Sequence, residues 1–280
     1  MISLNVIFIS NNKLVKTMEN IKKYHFSEKE SDITILSESK KAILRAKREF
    51  LYHRNVLEKY VQKDKQFLTS FSPVKIKTDL KIIKLMADTS YLCDVGPMAT
   101  VAGALADLMV GVMKNSEERD FTPVKNALVE NGGEIANDSE LSMKIALYAG
   151  KNELNLNLGF LIEKKDCPIG IGTSSATIGH AISLGEADAV TIFANNATLA
   201  DGAATRIANL VKGNDIGKSI NKGLDAVSDI DGVRGAIISR QDKVGHVGKI
   251  PKMIRIEGDK QIILNEKIEN LYLGDSDFLK

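Results

Sequence analysis

The chain has 280 residues, of which 44% are hydrophobic and 26% are charged, a composition typical of a globular protein with a substantial core. Its formal net charge of +2 argues against a nucleic-acid-binding protein that relies on a strong positive field. The two cysteines and four histidines lack CxxC, HxxxH and HExxH spacing, which excludes a disulfide framework and the usual zinc sites.

The sequence carries no pattern typical of export or of a membrane anchor. The apolar run that follows Met1 has no basic region before it and is interrupted by Asn5. Residues 95–113 approach the length of a membrane span, but Asp107 lies inside this run and many of its residues are Ala or Gly. We therefore expect a core helix here, no membrane or nucleic-acid partner, and a cytoplasmic protein.

The predicted elements in chain order begin with strands at residues 4–10 and 31–37. A long amphipathic helix is predicted over residues 38–66, where an apolar stripe is formed by Ile43, Ala46, Phe50, Leu57 and Tyr60. Pro73 disfavours a helical residue before it and separates this helix from the next, at 80–91. A third helix begins at Pro97, because the missing N–H is harmless at a first helical position.

Strand patterns dominate the second half of the chain, at residues 125–130, 142–149, 154–163, 168–173 and 187–194. Helices are predicted at 196–211 and 216–227, and strands at 235–240 and 244–256. This order predicts an α+β fold with largely antiparallel pairing, and no linker divides the single domain expected over residues 1–280. Two Ala-rich helices, one with Asp107 and one with Asp201, are compatible with duplicated halves.

Asp201 and Thr205 are the strongest candidates for a metal site. They stand four residues apart on a predicted helix and therefore share a face, where a carboxylate and a hydroxyl can both ligate Mg²⁺. A second interpretation stays open, because Thr198 and Asp201 also have the spacing of a capping box that merely satisfies the N-terminal amides of the helix.

A second candidate site lies where glycines flank the hydroxyl residues Thr173, Ser174 and Ser175. Glycine lets backbone amides approach an anion, and the hydroxyls add donors, although the pattern is neither GxGxxG nor a P-loop and is equally typical of a turn. His180 follows as a candidate general base. A serine hydrolase using Ser174 or Ser175 is disfavoured, because no GxSxG elbow is present.

The Gly132-Gly133 pair between two apolar stretches is a third candidate. Asn-Gly is the strongest short signal for a β-hairpin, so the segment is interpreted first as a turn. Its functional interpretation is a backbone loop that holds a flat ring or a phosphate, with Asn131 or Glu134 contacting a polar edge of the ligand.

Three ordered stretches together resemble a known family. VGPMATVAGALAD (95–107), ALVENGGEI (127–135) and GTSSATIGHAISLGEADAVTIFANNATLADGAATRIAN (172–209) are similar to the uncharacterised ApbE-like proteins of archaea and anaerobic bacteria. The resemblance covers residues 20 to 255 approximately. It implies a T-fold-like architecture, in which antiparallel sheets built from duplicated halves carry helices packed on one face.

The resemblance also implies a ligand and a set of site residues. Related FAD:protein FMN transferases bind FAD and Mg²⁺ and attach FMN through a phosphoester to a target Ser or Thr. By this resemblance Asp201 and Thr205 hold Mg²⁺, and His180 is the catalytic residue. The residues expected to hold FAD or a related nucleotide are Gly132, Gly133, Glu134, Thr173, Ser174 and Ser175.

The sequence also departs from those transferases. After His180 it continues AISLGEADAV, without their Asp-Pro-x-Thr-Gly segment, and it has no lipobox cysteine. Three functions therefore stay open. The first is a cytoplasmic flavin- and Mg²⁺-binding protein linked to sulfide assimilation and homocysteine synthesis, the second an FMN transferase, and the third a non-catalytic scaffold with a protein partner in sulfur assimilation. A homodimer is compatible with each.

Overall fold

The computed structural model describes residues 5–6, 20–115, 121–147, 157–174 and 185–256. The strands in these ranges are β1 (Asn5–Val6), β2 (Lys22–Glu28), β3 (Ser31–Ser37), β4 (Asn126–Asn131), β5 (Glu134–Ser139), β6 (Met143–Ala146), β7 (Leu158–Ile162), β8 (Ile169–Ser174), β9 (Ala189–Ala194), β10 (Val233–Arg240), β11 (Lys243–Gly248) and β12 (Lys252–Arg255). The α-helices are α1 (Lys40–Lys63), α2 (Lys65–Thr69), α3 (Lys81–Cys93), α4 (Val101–Lys114), α5 (Ala197–Leu210) and α6 (Ile216–Asp225).

The described strands form two antiparallel sheets. The large sheet has the order β11-β10-β9-β8-β5-β4-β3-β2, and the small sheet has the order β1-β6-β7-β12. In the large sheet, the pair β2–β3, a group of helices and the pair β4–β5 form one half. The pair β8–β9, two helices and the pair β10–β11 form the other half, and β5 joins β8 at the centre. The predicted α+β fold with antiparallel sheets in duplicated halves is confirmed.

Helices cover one face of the large sheet, and the small sheet covers the other. On the helix face, one apolar cluster packs α1, α3 and α4 against β3 and β4, and a second packs α5 and α6 against β9 and β10. Between the sheets lies a third cluster, in which the rings of Phe160 and Phe193 meet edge to face with centroids 4.9 Å apart. Neighbouring residues of a strand therefore face two different environments.

The long predicted helix is confirmed as α1, with a short α2 after it. The side chain of Ser39 accepts the Ala42 amide at its start, and the Asp64 side chain accepts the Phe67 amide where α2 begins. Of the expected stripe, Ile43, Ala46, Phe50 and Leu57 are buried and Tyr60 is half-buried. Ala42 and His53 are also buried on this side. This stripe orients α1 on the helix face, where it packs against α4.

The apolar run with the length of a membrane span is a core helix. Residues Pro97–Lys114 are long and apolar enough to cross a bilayer by composition. In the structure they form one 3₁₀ turn, which begins at Pro97 as predicted, followed by α4. Most of α4 is buried in the helix-face cluster, so its apolar character is explained by packing inside the protein.

The prediction of one strand over residues 244–256 was wrong, because β11 and β12 belong to different sheets. Gly248 adopts a positive φ of 73°, and Pro251 precedes β12, so the chain leaves the large sheet between these residues and joins the small one. The first predicted strand is described only at Asn5–Val6, which pairs with β6.

Candidate functional site

The Gly132-Gly133 pair forms the turn of the β4–β5 hairpin, as its first interpretation predicted. Both glycines have positive φ, 65° and 117°, which a two-residue hairpin turn of this kind requires. The Gly132 amide donates to the Asp32 carbonyl at 3.0 Å, and the Gly133 amide donates to Glu130 Oε1 at 3.1 Å. Because both amides are bonded within the protein, the turn has no N–H to offer a phosphate. Gly133 is buried and Gly132 is half-buried, so Gly132 is the part of the turn that a ligand can reach.

Asn131 fixes this turn to the first turn of α4. Its Nδ2 donates to the Ala102 carbonyl at 3.0 Å and its side chain is buried, so the structure gives it a contact with α4. Glu134 pairs with Asn131 across the hairpin and therefore lies on the same face of the sheet, toward the helices. The turn thus carries a half-buried carboxyl group to the N-terminus of α4.

The N-termini of α4 and α5 cap each other through two aspartates. Asp107 of α4 accepts hydrogen bonds from the Ala197 amide at 2.9 Å, from the Thr198 amide at 2.7 Å and from Thr198 Oγ1 at 2.5 Å. Asp201 of α5 accepts the Gly103 amide at 3.0 Å. These are amides that a helix leaves without an intrahelical partner at its first turn.

The capping-box interpretation of Thr198 and Asp201 is wrong for this reason. The N-cap of α5 is Asn196, whose side chain accepts the Leu199 amide at 2.8 Å, and Asp201 bonds to the other helix. Asp201 accepts the Gly103 and Ala102 amides at the first turn of α4, so these amides are not free to bind an anion. Asp94 itself ends α3 in the left-handed conformation.

Burial raises the pKa of Asp201 to about 7, and the charge of Asp107 adds to the increase. The hydrogen bonds from the Gly103 and Ala102 amides oppose this change, because they stabilise the carboxylate form. Burial also raises the pKa of Glu134 well above its usual range, and the negative charges of Asp201 and Glu130 contribute to the increase. Two neighbouring carboxyl groups are thus held where their charged forms are unfavourable without a cation.

The register of β5 and β8 brings the glycine-rich strand to the same place. Ile135 pairs with Ile171, so continuing the antiparallel register by one residue sets Glu134 opposite Gly172. A Cβ atom on Gly172 would lie 2.7 Å from the Ala200 carbonyl carbon, and one on Gly170 would lie 1.9 Å from that of Asn196. These glycines let α5 lie directly on β8. They therefore serve packing and not the anion approach weighed from the sequence.

The two hydroxyl residues at the end of β8 face opposite sides of the sheet. Ser174 shares the helix face with Gly172, by the alternation of the strand. Thr173 is buried on the other face, where its Oγ1 lies 3.0 Å from Thr191 Oγ1. The structure therefore brings Ser174 toward the face of Asp201 and separates Thr173 from it. Ser175 and His180 lie outside the described residues.

Cys93 lies close to the site but is not a reactive thiol. It is buried, its Sγ is 3.9 Å from the Leu199 carbonyl oxygen, and burial raises its pKa to about 12. A thiol with such a pKa stays protonated and is a poor nucleophile. Its role is to fill the space beside Gly202, where an added Cβ would meet the Cys93 sulfur at 3.0 Å.

The donor set at Asp201 and Thr205 fits Mg²⁺. Both side chains are half-buried, share one face of α5 and offer the hard oxygen atoms that this cation prefers. The two amides that Asp201 accepts use only part of the capacity of a carboxylate. In the described ranges, no three His, Cys, Asp or Glu side chains are grouped for a metal. A cation here would complete its shell with water or phosphate oxygens, as Mg²⁺ commonly does.

Asp107, Asn131 and Gly103 are site residues whose roles the sequence did not reveal. Each acts through a contact with a distant segment, such as the bond between Asp107 and Thr198, 91 residues apart. The available signal was the presence of one aspartate in each Ala-rich helix, which indicated symmetry but not that each aspartate caps the other helix.

A family model described as AbpE bacteria matches residues 15–238. A UPF0280 protein of Methanococcus vannielii is 40% identical over 235 residues, which are 82% of this chain and 92% of that protein. A UPF0280 protein of Methanocaldococcus jannaschii is 39% identical over 241 residues, 85% of this chain and 94% of that protein.

Two solved structures share the fold at low sequence identity. A variant of the flavin transferase ApbE from Vibrio cholerae aligns with a TM-score of 0.52 and 13% identity, over 82% of this chain and 97% of that one. The apo form of the Pseudomonas stutzeri flavinyl transferase ApbE aligns with a TM-score of 0.52 and 13% identity, over 81% and 94%. The architecture described above is therefore an ApbE-like fold.

Proposed function

Because the chain belongs to the AbpE bacteria family, we propose that it binds FAD or a related flavin nucleotide together with Mg²⁺, as a flavin transferase-like protein. The observation that carries the proposal is the meeting of the Gly132-Gly133 turn, Glu134 and Asp201 at the first turns of α4 and α5. This meeting combines a bare backbone surface with two carboxyl groups, in the fold of known flavin transferases.

Each residue of the proposed site has a role that follows from its chemistry. Asp201 and Thr205 hold the cation, which when bound supplies the positive charge that stabilises a nucleotide phosphate. The amides of Ala102 and Gly103 keep the Asp201 carboxylate in place. Ser174, on the same face, donates its hydroxyl to a phosphate oxygen. Thr173 is left out of the site, because its hydroxyl pairs with Thr191 on the other face.

The turn and Glu134 contact the flat part of the ligand. Gly132 is half-buried and has no side chain, so a ring can approach it closely, whereas the bonded amides of Gly132 and Gly133 leave nothing for a phosphate. The raised pKa of Glu134 favours its protonated form, which can donate a hydrogen bond to an acceptor atom on the ring edge.

Binding is measured anaerobically by adding FAD, FMN or ADP to the purified protein with and without Mg²⁺. We expect Mg²⁺-dependent binding of FAD, weakened about tenfold or more in Asp201→Asn and in Thr205→Val, since each removes a metal ligand. Thr205→Ser keeps the hydroxyl and Asp215→Asn changes an exposed cap of α6, so both should bind like the wild type. A folded wild type that binds none of the three nucleotides would overturn the proposal.

A binding protein without transferase chemistry is the second candidate. The observation that favours it is the sequence AISLGEADAV after His180, where the related transferases have Asp-Pro-x-Thr-Gly. Protein extracts incubated with FAD, Mg²⁺ and the purified chain separate the two, because transfer of FMN leaves covalent flavin fluorescence on an acceptor band and releases AMP. Retained FAD binding with neither product supports the second candidate. His180 as catalytic residue, Ser175 as ligand contact, the cytoplasmic location and the partner in sulfur assimilation stay predictions.

A further inference from the structure

In the mutual capping of α4 and α5, Asp107 of α4 fixes the start of α5, and α5 carries the proposed metal ligands. The Asp107 side chain is committed to α5, because its two oxygens accept three hydrogen bonds from Ala197 and Thr198. These bonds fix the first residues of α5 against the second turn of α4. Asp201 follows Thr198 by less than one helical turn, so whatever fixes Thr198 also fixes Asp201.

The fit between the two helices leaves little room for adjustment. A Cβ atom on Gly103 would lie 2.3 Å from the Ala197 carbonyl oxygen, so α4 and α5 are in backbone contact at this point. Thr100, the N-cap of α4, makes no side-chain cap bond. The Gly103 amide therefore depends on Asp201, and its hydrogen bond reports whether α5 is in place.

We propose that Asp107 is a positioning residue for the Asp201–Thr205 pair, acting through the N-terminus of α5. This inference rests on the proposed function, since it assigns the residue that holds the proposed metal ligands in register with α4. Because three of the roughly four acceptor positions of Asp107 are bonded to α5, we assign it a positioning role and not a metal contact. Burial raises its pKa, which is consistent with a carboxyl group enclosed by the protein.

The first measurement is hydrogen exchange of the Gly103 amide in metal-free protein, read by NMR. Asp107→Asn keeps the size of the side chain but sets an NH₂ group against the amides of α5, so we expect Gly103 to exchange at least tenfold faster. Asp215→Asn is the matched control, because Asp215 caps α6 through one bond to the Lys218 amide, 3.0 Å long. Unchanged protection of Gly103 in a folded Asp107→Asn protein would overturn the inference.

The second measurement is Mn²⁺ affinity in the presence of ADP, read by electron paramagnetic resonance. We expect Asp107→Asn to bind Mn²⁺ about tenfold more weakly than the wild type, as is usual for residues that orient metal ligands, and Asp215→Asn to bind normally. Unchanged Mn²⁺ affinity in Asp107→Asn would overturn this inference and leave the proposed function unaffected. A wild type that binds no Mn²⁺ would instead sink the proposed function and this inference with it.

A milder pair of variants covers the case in which Asp107→Asn does not fold. Thr198→Val removes only the hydroxyl bond to Asp107, whereas Thr198→Ser retains it. We expect Mn²⁺ affinity to fall a fewfold in the valine variant and to be restored in the serine variant. Equal affinity in the two variants would contradict a positioning role for Asp107.

Discussion

The N-termini of α4 and α5 are each capped by an aspartate of the other helix, and the two aspartates differ in their hydrogen bonds and surroundings. Asp107 accepts three hydrogen bonds at the start of α5, and Asp201 accepts two backbone amides at the start of α4. Asp201 also lies beside Glu134, and its pKa is raised to about 7. Burial raises the pKa of both carboxyl groups, but Asp107 accepts three hydrogen bonds within the protein and Asp201 only two. Asp107 therefore holds structure, whereas Asp201 keeps more of its accepting capacity for a ligand.

The largest effect is expected from forcing the two N-termini apart. In Gly103→Ala the added methyl group would lie 2.3 Å from the Ala197 carbonyl oxygen, so both caps must loosen. We expect the free energy of unfolding to fall by about 3 kcal/mol, measured by urea denaturation. Gly111→Ala on the same helix is the control, because nothing lies within 4 Å of the new methyl group. It should gain about 0.5–1 kcal/mol from helix propensity.

The next largest effect is found by comparing the stability lost when each aspartate is replaced by alanine. Asp107→Ala leaves two backbone amides and the Thr198 hydroxyl without their partner, and we expect it to lower the free energy of unfolding by about 2 kcal/mol. Asp201→Ala breaks fewer hydrogen bonds and removes a carboxyl group whose pKa is raised to about 7, so its loss should be clearly smaller at pH 8. Equal losses in the two variants would contradict the distinction between a structural and a ligand-binding aspartate.

A smaller effect, opposite in sign, is expected from Asp201→Asn in metal-free protein. The folded-state pKa is about 7 and the usual value is 3.8, so the folded state holds the proton more tightly. The carboxyl group therefore lowers stability progressively as the pH rises from 4 to 7. The neutral amide escapes this loss. The change in pKa alone would be worth about 4 kcal/mol, and because Asp201 is half-buried and water screens its charge, the variant should exceed the wild type by about 1–2 kcal/mol at pH 8 and match it near pH 4.

That comparison is made by thermal unfolding across the pH range, with Asp215→Asn as a control at an exposed position on another helix. Adding Mg²⁺ and FAD should reverse the order at pH 8, because only the wild type retains its metal ligand and gains stability from binding. A variant that is less stable than the metal-free wild type at pH 8 would contradict the unfavourable burial of Asp201.

Periodicity in the sequence predicted the elements but not how they meet. The stripe from Ile43 to Leu57 predicts α1 because helix periodicity is local. The end of β11 was missed because apolar residues continue beyond Gly248, and only the second sheet explains where they go.

Only part of the site was predicted, because sequence patterns are local and the site combines distant segments. The hairpin turn and the Asp201–Thr205 spacing are local patterns, and the structure contains the first as the Gly132-Gly133 turn and the second as one helix face. Alternation separates Thr173 from Ser174, but which of them faces the helices depends on the register of β8 with β9. The role of Asp107 depends on a contact between segments 91 residues apart, which local spacing does not contain.

The smallest effect is expected at Asn196, the local cap of α5. It tests whether metal binding depends on every cap of α5 or only on Asp107 of α4. Asn196 is exposed and caps α5 locally through the Leu199 amide, 2.8 Å away. Asn196→Ala should lower the free energy of unfolding by about 0.5–1 kcal/mol, and Asn196→Ser should restore most of it. Nucleotide-dependent Mn²⁺ affinity should be unchanged in both, because Asp107 still holds Ala197 and Thr198. If Asn196→Ala lowered Mn²⁺ affinity as much as Asp107→Asn does, the position of Asp201 would depend on the stability of α5 in general and not on its contact with α4.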